Sequence, residues 1–273
     1  MSANGFRWSP SSLSLLTSCG EAFRRRYVEG ERTPARARMI RGRVVHNVAQ
    51  HTYERRLREE ALPSKEEAQD LAATQFESAW QEGVELEPDE RAAGEAQTKG
   101  DALDFSTDLS GYHVERVAPS VHPIAVEEAM TVRLPESNVL VHGIIDLIAL
   151  DDTIRDIKTS ERTPQATAAE TSLQLTIYAA LFRQEMQHLP KALTLDYLVR
   201  TPAKRMKSFI PLTTTRDEED MQVLSRRINT AVQLVEANVY LPAPADSWKC
   251  TARFCDYYHD CVFVRRGARR PVT

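Results

Sequence analysis

The chain has 273 residues, and its 39 acidic residues outnumber its 35 lysines and arginines, which gives a formal net charge of −4. Hydrophobic residues make up 42% of the chain and charged residues 27%, which are proportions of a folded globular protein and not of a disordered one. This balance excludes a chain coated throughout with basic residues for nucleic acid, although a local basic groove or a bound cation can still attract phosphate.

The sequence shows neither a secretory signal nor a membrane span. Its first eight residues lack a basic region followed by an apolar core. No apolar stretch approaches the ~18–20 residues that a transmembrane helix needs. Four cysteines are too few for a disulfide scaffold at this length. We therefore expect a cytoplasmic protein that makes no membrane contact.

Helices are predicted for most of the first 118 residues. The Ser-Pro-Ser segment at 9–11 is a good helix start, because it combines a capping hydroxyl with an early proline. Helical spacing of apolar residues predicts further helices at about 40–53, 64–83 and 88–107. The segment from about 51 to 118 is expected to be a helical elaboration.

Strands are predicted after Pro119, and they alternate with two long helices. The predicted strands are Ile124–Val132, Val139–Leu150, Thr153–Thr159, Leu193–Arg200 and Met206–Leu212, and the predicted helices are Ala166–Met186 and Arg216–Ala237. This order predicts the α/β class, with a mixed β-sheet core flanked by helices and an N-terminal helical subdomain.

Two carboxylates on neighbouring predicted strands indicate a metal site. Asp146 lies within an apolar run, where an unpaired carboxylate carries a heavy desolvation cost. Asp156 follows on the next strand, and two close carboxylates need a cation, with oxygen ligands favouring Mg²⁺ or Mn²⁺. Lys158 projects from the same strand face as Asp156, where it can position a metal-bound water. The Ile157 carbonyl is a further candidate ligand.

Gln174 and Tyr178 lie four positions apart, and therefore on one face of the predicted helix. Both side chains can hydrogen-bond to phosphate or orient Lys158. A plainer interpretation stays open, in which Asp146 and Asp156 flank a turn and Lys158 pairs with one of them.

These motifs, in this order, resemble those of the PD-(D/E)XK nuclease superfamily, in its RecB-like branch. The segments at 143–146 and 156–159 are similar to its two catalytic strands, and Gln174 and Tyr178 match its Q-x-x-x-Y helix. The segment at 41–46 resembles the G-x-x-x-H helix, which implies that His46 is a metal ligand. Glu127 stands where some members carry an additional acid, but a shift of one residue would put Glu128 there.

The resemblance implies a restriction-endonuclease-like fold and a divalent-metal-dependent deoxyribonuclease, with exonuclease activity favoured over endonuclease activity. The expected substrate is DNA, at its ends or as single strands. Arg41 and Arg43 flank the predicted His46 ligand and are the expected DNA contacts. The alternative is a DNA-binding accessory subunit of a larger complex that keeps the nuclease fold.

The four cysteines are unevenly placed, since Cys19 stands alone while Cys250, Cys255 and Cys261 cluster near the other end. One four-thiolate site would account for all of them, whereas separate buried thiols are the ordinary alternative. Zinc sites usually use short knuckles in pairs, whereas neither interval within the cluster is C-x-x-C and Cys19 stands 231 positions before Cys250. This spacing favours an iron–sulfur cluster, and zinc stays open.

The cysteine pattern is similar to that of the iron–sulfur-stapled members of the same family, which include AddB-type repair subunits and CRISPR-adaptation exonucleases. The segments at 248–250 and 255–258 look especially like those of phage and prophage members. The resemblance implies a structural 4Fe–4S cluster that joins the two ends of the chain. It also implies protein partners from recombination, repair, phage or CRISPR systems.

The expected organisation is a single nuclease domain over residues 1–273. Within it we expect N-terminal helices over 9–60, the helical elaboration over 61–118, the catalytic core over 119–240, and the metal-cluster segment with a basic tail over 241–273.

Overall fold

A computed structural model describes residues 6–133 and 139–264 of the chain, so the predicted basic tail after 264 lies outside the described residues. The chain divides into two compact units. The first comprises the described parts of Met1–Thr33, Thr131–Gly143 and Glu218–Thr273. The second comprises Pro34–Met130 and Ile144–Asp217.

The described helices follow the predicted order along the chain. Their bounds are α1 (Pro10–Ser18), α2 (Gly20–Phe23), α3 (Ala37–Leu57), α4 (Lys65–Gln81), α5 (Pro88–Ala93), α6 (Glu95–Arg116), α7 (Leu173–Met186) and α8 (Glu218–Glu236), with a π-helical turn at Arg24–Val28. Reciprocal capping boxes at Ser9 and Ser64 fix the starts of α1 and α4. Every described helix is too short or too polar to cross a membrane.

The described strands are β1 (Arg7–Trp8), β2 (Ala35–Arg36), β3 (Val84–Glu85), β4 (Pro123–Arg133), β5 (Leu140–Ala149), β6 (Thr153–Ser160), β7 (Ala192–Arg200) and β8 (Lys207–Thr214). In the second unit, β5 and β6 pair antiparallel, β6 and β7 parallel, and β7 and β8 antiparallel. The predicted mixed sheet of an α/β protein is therefore confirmed.

Two predicted helices differ in extent from the structure. The helix predicted over 88–107 is interrupted at Gly94, whose φ of +93° a glycine adopts at little steric cost. The helix predicted from Ala166 begins only at Leu173, after a side-chain cap by Ser172. The carbonyls of Ala169 and Glu170 instead accept hydrogen bonds from Arg216, at 2.9 and 3.0 Å.

Each unit has its own core. In the first unit, Trp8 and Phe23 are fully buried and stack with ring centroids 5.8 Å apart, and Tyr240 stacks on Phe23. In the second unit, buried residues of α3 form one cluster with α4 and α6. Other buried residues of α3 form a second cluster with α6 and the sheet. This packing therefore fixes the position of helix α3.

Candidate active site and cysteine cluster

Helix α3 carries His46 to the sheet of the second unit. Gly42, one turn earlier, faces Thr159 on β6, and a Cβ at Gly42 would lie only 3.2 Å from Thr159 Oγ1. The absent side chain thus lets α3 approach the strand that bears Lys158. One turn after Gly42, His46 Nε2 lies 2.9 Å from Asp146 Oδ2 on β5.

Glu127 owes its position to an irregularity in β4. Its φ of +51° is unusual for a glutamate in a strand and interrupts the regular alternation of side chains, as a bulge does. Glu127 Oε1 lies 3.5 Å from His46 Nε2, whereas the neighbouring Glu128 is exposed. Of the two adjacent acids, the structure places Glu127 at the site.

His46, Glu127 and Asp146 each offer a ligand atom, and these atoms lie within 4.8 Å of one another. Within the described ranges, Glu127 Oε1 is buried and accepts no hydrogen bond. Burial alone would lower the pKa of His46, but the hydrogen bond and charge of Asp146 and the charge of Glu127 raise it overall. One imidazole nitrogen and two carboxylates form a donor set that fits a divalent cation.

Asp156 lies deeper than these three residues, with only 1% of its side chain exposed. Burial raises the pKa of Asp156, and the charge of Lys158 opposes that shift while the charge of Asp146 adds to it. Lys158 Nζ lies 2.6 Å from Asp156 Oδ2, and Asp156 Oδ1 accepts no hydrogen bond from the described residues. The Ile157 amide donates to Asp146 Oδ2 at 2.9 Å, so β6 orients that carboxylate directly.

A chain of side-chain hydrogen bonds links β6 to α7. Lys158 Nζ donates to Gln174 Oε1 at 2.9 Å, and Gln174 Nε2 donates to the Tyr178 hydroxyl at 2.8 Å. Burial raises the pKa of Tyr178 and keeps it neutral. The ammonium of Lys158 is therefore held between one carboxylate and one amide oxygen, with about a third of its side chain exposed.

The two arginines that the sequence suggests as DNA contacts have different surroundings. Arg41 forms an ion pair of 2.7 Å with Glu161, and its guanidinium lies 4.2 Å from the centre of the Phe105 ring. Arg43 is exposed and forms no ion pair within the part of the chain that the structure describes. Arg41 thus has a role in packing, whereas Arg43 is available to solvent.

One residue that the sequence argument did not single out lies next to the predicted lysine. Tyr197 on β7 is paired in register with Lys158 on β6. The signal in the sequence is weak, because an aromatic residue in an apolar strand is ordinarily part of a core. Only the register between two strands that are distant in sequence brings Tyr197 to the site.

The first unit contains all four cysteines, none of them in a disulfide and each only partly exposed. The pKa of Cys255 is raised to about 11, mainly by burial and to a smaller extent by the charges of the other three cysteines, while a backbone hydrogen bond with Tyr257 opposes the rise. Cys250 likewise interacts with Cys19 and Cys261. The charges of Cys19 and Cys261 thus act on the two other cysteines, although Cys19 is more than two hundred positions away in the sequence.

Backbone contacts hold Cys19 against the C-terminal segment. The Gly20 amide donates to the Leu241 carbonyl at 2.6 Å, and a Cβ at Gly20 would lie 2.7 Å from Leu241 N. The Ala243 amide donates to Cys19 Sγ at 3.3 Å, and Lys249 Nζ donates to Ser18 Oγ at 2.7 Å. A cavity of about 250 Å³ adjoins Cys19 and Cys255.

The chain is similar in structure to other solved proteins. A crystal structure of a candidate exonuclease from Eubacterium rectale is similar over 99% of this chain and 92% of that chain, with a TM-score of 0.54 and 12% identity. The crystal structure of a protein called SSO0001 is similar over 64% of this chain and 74% of that chain, with a TM-score of 0.38 and 17% identity. A search of curated proteins gave no significant match.

At such identities, the first likeness shows a shared fold only. The family model described as the PD-(D/E)XK nuclease superfamily matches residues 7–262, which is nearly the whole described chain. The mixed sheet flanked by helices is consistent with the restriction-endonuclease-like fold of that family. With this match and this fold, the chain belongs to the PD-(D/E)XK nuclease superfamily.

Proposed function

We propose that this protein is a divalent-metal-dependent exonuclease that hydrolyses phosphodiester bonds at DNA ends. The observation that carries the proposal is that one ligand atom from each of His46, Glu127 and Asp146 lies within 4.8 Å of the other two. Lys158 lies nearby, with its Nζ 2.6 Å from Asp156 Oδ2. Exonuclease activity is favoured over endonuclease activity because the similar E. rectale protein is described as a candidate exonuclease.

The proposed metal ligands are His46, Asp146, Asp156, the Ile157 carbonyl and Glu127. Glu127 Oε1 and Asp156 Oδ1 are buried without a hydrogen bond from the described residues, so both oxygens have lone pairs available for an ion. The hard carboxylate oxygens favour Mg²⁺ or Mn²⁺. A bound ion would supply an activated water and stabilise the negative charge that develops on phosphate.

The chain's own residues would then align the reacting groups. Lys158 is proposed to hold the attacking water, because its ammonium is fixed between Asp156 and Gln174 and still partly exposed. Gln174 keeps Lys158 in this direction, and Tyr178 keeps Gln174 from rotating. Arg43 is the better candidate for a DNA contact, because Arg41 is engaged with Glu161 and Phe105.

We further propose that Cys19, Cys250, Cys255 and Cys261 bind a structural 4Fe–4S cluster, with zinc as the alternative. The electrostatic coupling of the four thiols and the amide that donates to Cys19 Sγ support a shared site. Amide donors to ligand sulfurs are a common way for a protein to tune such a cluster. The cluster would cross-link the two ends of a chain that we propose to act as one nuclease domain.

The broader setting proposed for this enzyme is cytoplasmic DNA processing in recombination, repair, phage or CRISPR-related pathways, with protein partners from those systems. The basis for this proposal is the resemblance of the cysteine pattern to that of the iron–sulfur-stapled members of the family. The RecB-like branch is proposed on the same basis, together with the segment at 41–46 and the Q-x-x-x-Y spacing.

The test begins with anaerobic purification and metal analysis, followed by digestion of end-labelled linear DNA and of closed circular DNA. We expect linear DNA to be shortened in Mg²⁺ or Mn²⁺ while circular DNA survives. About four iron atoms per chain are expected from one 4Fe–4S cluster. Cleavage of circular DNA would point to endonuclease activity, and no cleavage with either ion would refute the enzyme proposal.

A further inference from the structure

Tyr197 shares a face of the sheet with the proposed catalytic residues. Strands β6 and β7 are parallel, with Asp156 paired to Leu195 and Lys158 paired to Tyr197. Paired residues of neighbouring strands project to the same side of a sheet, and this side alternates along each strand. Tyr197 therefore projects beside Lys158, on the face from which Gln174 reaches the lysine.

Tyr197 is also the exception in its strand. Between Leu193 and Arg200, all residues except Tyr197 are buried, and Tyr197 is partly exposed. Its hydroxyl makes no hydrogen bond with any of the residues that the structure describes. The hydroxyl is not among the buried polar atoms either, so it faces solvent and a ligand can reach it.

The electrostatic surroundings agree with the strand register. Burial raises the pKa of Tyr197, the positive charge of Lys158 opposes that rise, and the charge of Asp156 adds to it. Conversely, burial lowers the pKa of Lys158, but Asp156, Asp146 and, to a smaller extent, Tyr197 raise it overall. The phenol group is thus close enough to both residues to interact with their charges.

Building on the proposed nuclease function, we propose that Tyr197 is a further substrate-binding residue of this site. Its hydroxyl donates a hydrogen bond to a non-bridging oxygen of the phosphodiester that is cleaved. Lys158 and Tyr197 then present two donors, side by side, to one phosphate group. The ligand class is a nucleic-acid phosphodiester, and the contact needs no base identity.

The test compares Tyr197→Phe with the wild type in steady-state cleavage of a single-stranded oligonucleotide in Mn²⁺. Phenylalanine removes only the hydroxyl, so we expect kcat/KM to fall about ten- to hundredfold, as for a lost hydrogen bond to a charged group. Tyr112→Phe is the matched control, because Tyr112 packs against the core around α3 and α6 and lies outside the proposed site. This control should keep wild-type kcat and KM.

The outcomes separate this inference from the proposed function. If the wild type cleaves and Tyr197→Phe stays within twofold of it in both kcat and KM, the hydroxyl contact is refuted while the nuclease function stands. If Tyr197→Phe is normal but Tyr197→Ala is impaired, the ring contacts the substrate and the hydroxyl proposal is again refuted. An inactive wild type refutes the proposed function first, and the inference with it. Melting curves of both phenylalanine variants show whether either substitution has changed the fold.

Discussion

The two candidate sites of this protein are built in opposite ways. The residues around His46, Asp146 and Lys158, here called the carboxylate site, come from a long helix and regular strands and already contact one another. The cysteines come from the end of a short helix and from a segment, 246–264, that contains turns but no helix or strand. A regular scaffold can hold a site before its ion arrives, whereas a segment of turns gains much of its order from what it binds.

This difference predicts that metal loss affects the two sites differently. The carboxylate site should keep its fold and lose activity, because its polar groups have neighbours of their own. The cysteine region, meaning Cys19 together with residues 246–264, should lose stability.

The largest effect is expected from Lys158→Ala, which removes the group proposed to hold the attacking water. We expect activity to fall about a thousandfold or more, because water positioning and charge stabilisation are lost together. Lys99→Ala is the matched control, since Lys99 forms an ion pair with Glu77 away from the site. End-labelled DNA digestion measures both variants. Equal activities in the two variants would contradict the role given to Lys158.

Cys255→Ser should act on stability. If the proposed cluster is present, loss of one of its ligands weakens a link that closes a loop of more than two hundred residues, and we expect the free energy of unfolding to fall by roughly 3–5 kcal/mol. Asp146→Ala is the comparison from the carboxylate site, and it should abolish cleavage while changing the melting temperature far less. Thermal melts of the anaerobic proteins provide the measurement. Similar melting temperatures for Cys255→Ser and the wild type would refute a structural role for the cysteines.

Gly42→Ala tests how closely α3 must approach the sheet. The added Cβ would lie 3.2 Å from Thr159 Oγ1, so either α3 or the Thr159 side chain must move by a few tenths of an ångström. Because His46 lies one turn further along α3, we expect activity to fall about three- to tenfold, as a small misplacement costs rate. Gly100→Ala is the control, since a Cβ there meets nothing within 4 Å. It should keep full activity and gain about 0.5–1 kcal/mol of stability.

The scaffold of the carboxylate site should have its own pH dependence. His113 on α6 is fully buried against the hydroxyl of Tyr53 on α3, and burial lowers the pKa of His113 to about 3. The unfolded chain takes up this proton near its ordinary pKa of about 6.5, so stability is greatest above that value and declines as pH falls toward 3. Between pH 6.5 and 5.5 the loss should be about 1 kcal/mol.

His113→Gln should remove this loss, because glutamine does not titrate. Urea unfolding at the two pH values measures it, with His188→Gln as the control at an exposed histidine. If the wild type and His113→Gln lose the same unfolding free energy between pH 6.5 and 5.5, the buried neutral state of His113 is refuted.

Much of the carboxylate site was predictable, because its motifs are short and their structural context is local. Three local patterns have a physical reason that points to a shared site. They are an acid in an apolar run, a D-x-K strand, and two polar residues one helical turn apart. The position of Glu127 was harder to predict, since its positive φ within β4 decides whether it or Glu128 faces His46. No local sequence pattern signals that backbone conformation.

The rest of the site depends on pairing between distant segments. Tyr197 comes next to Lys158 only through the parallel register of β6 and β7, which is set by packing across the whole sheet and not by nearby residues. The late start of α7 has a similar origin, because a distant arginine takes the carbonyls that would have continued the helix. Local propensity decides the type of these elements, whereas tertiary contacts decide their ends and their partners.

The proposed function requires that His46, Glu127 and Asp146 bind a divalent ion and that Lys158 assists the cleavage of DNA. Digestion of end-labelled linear DNA by the anaerobically purified protein, with Mg²⁺, with Mn²⁺ and with chelator, tests it most directly. We expect the wild-type protein to shorten the DNA with either ion but not with chelator, and we expect Asp146→Ala to leave the DNA intact under every condition. Intact DNA in every lane of the wild-type protein, or equal cleavage by Asp146→Ala, would contradict the proposed function.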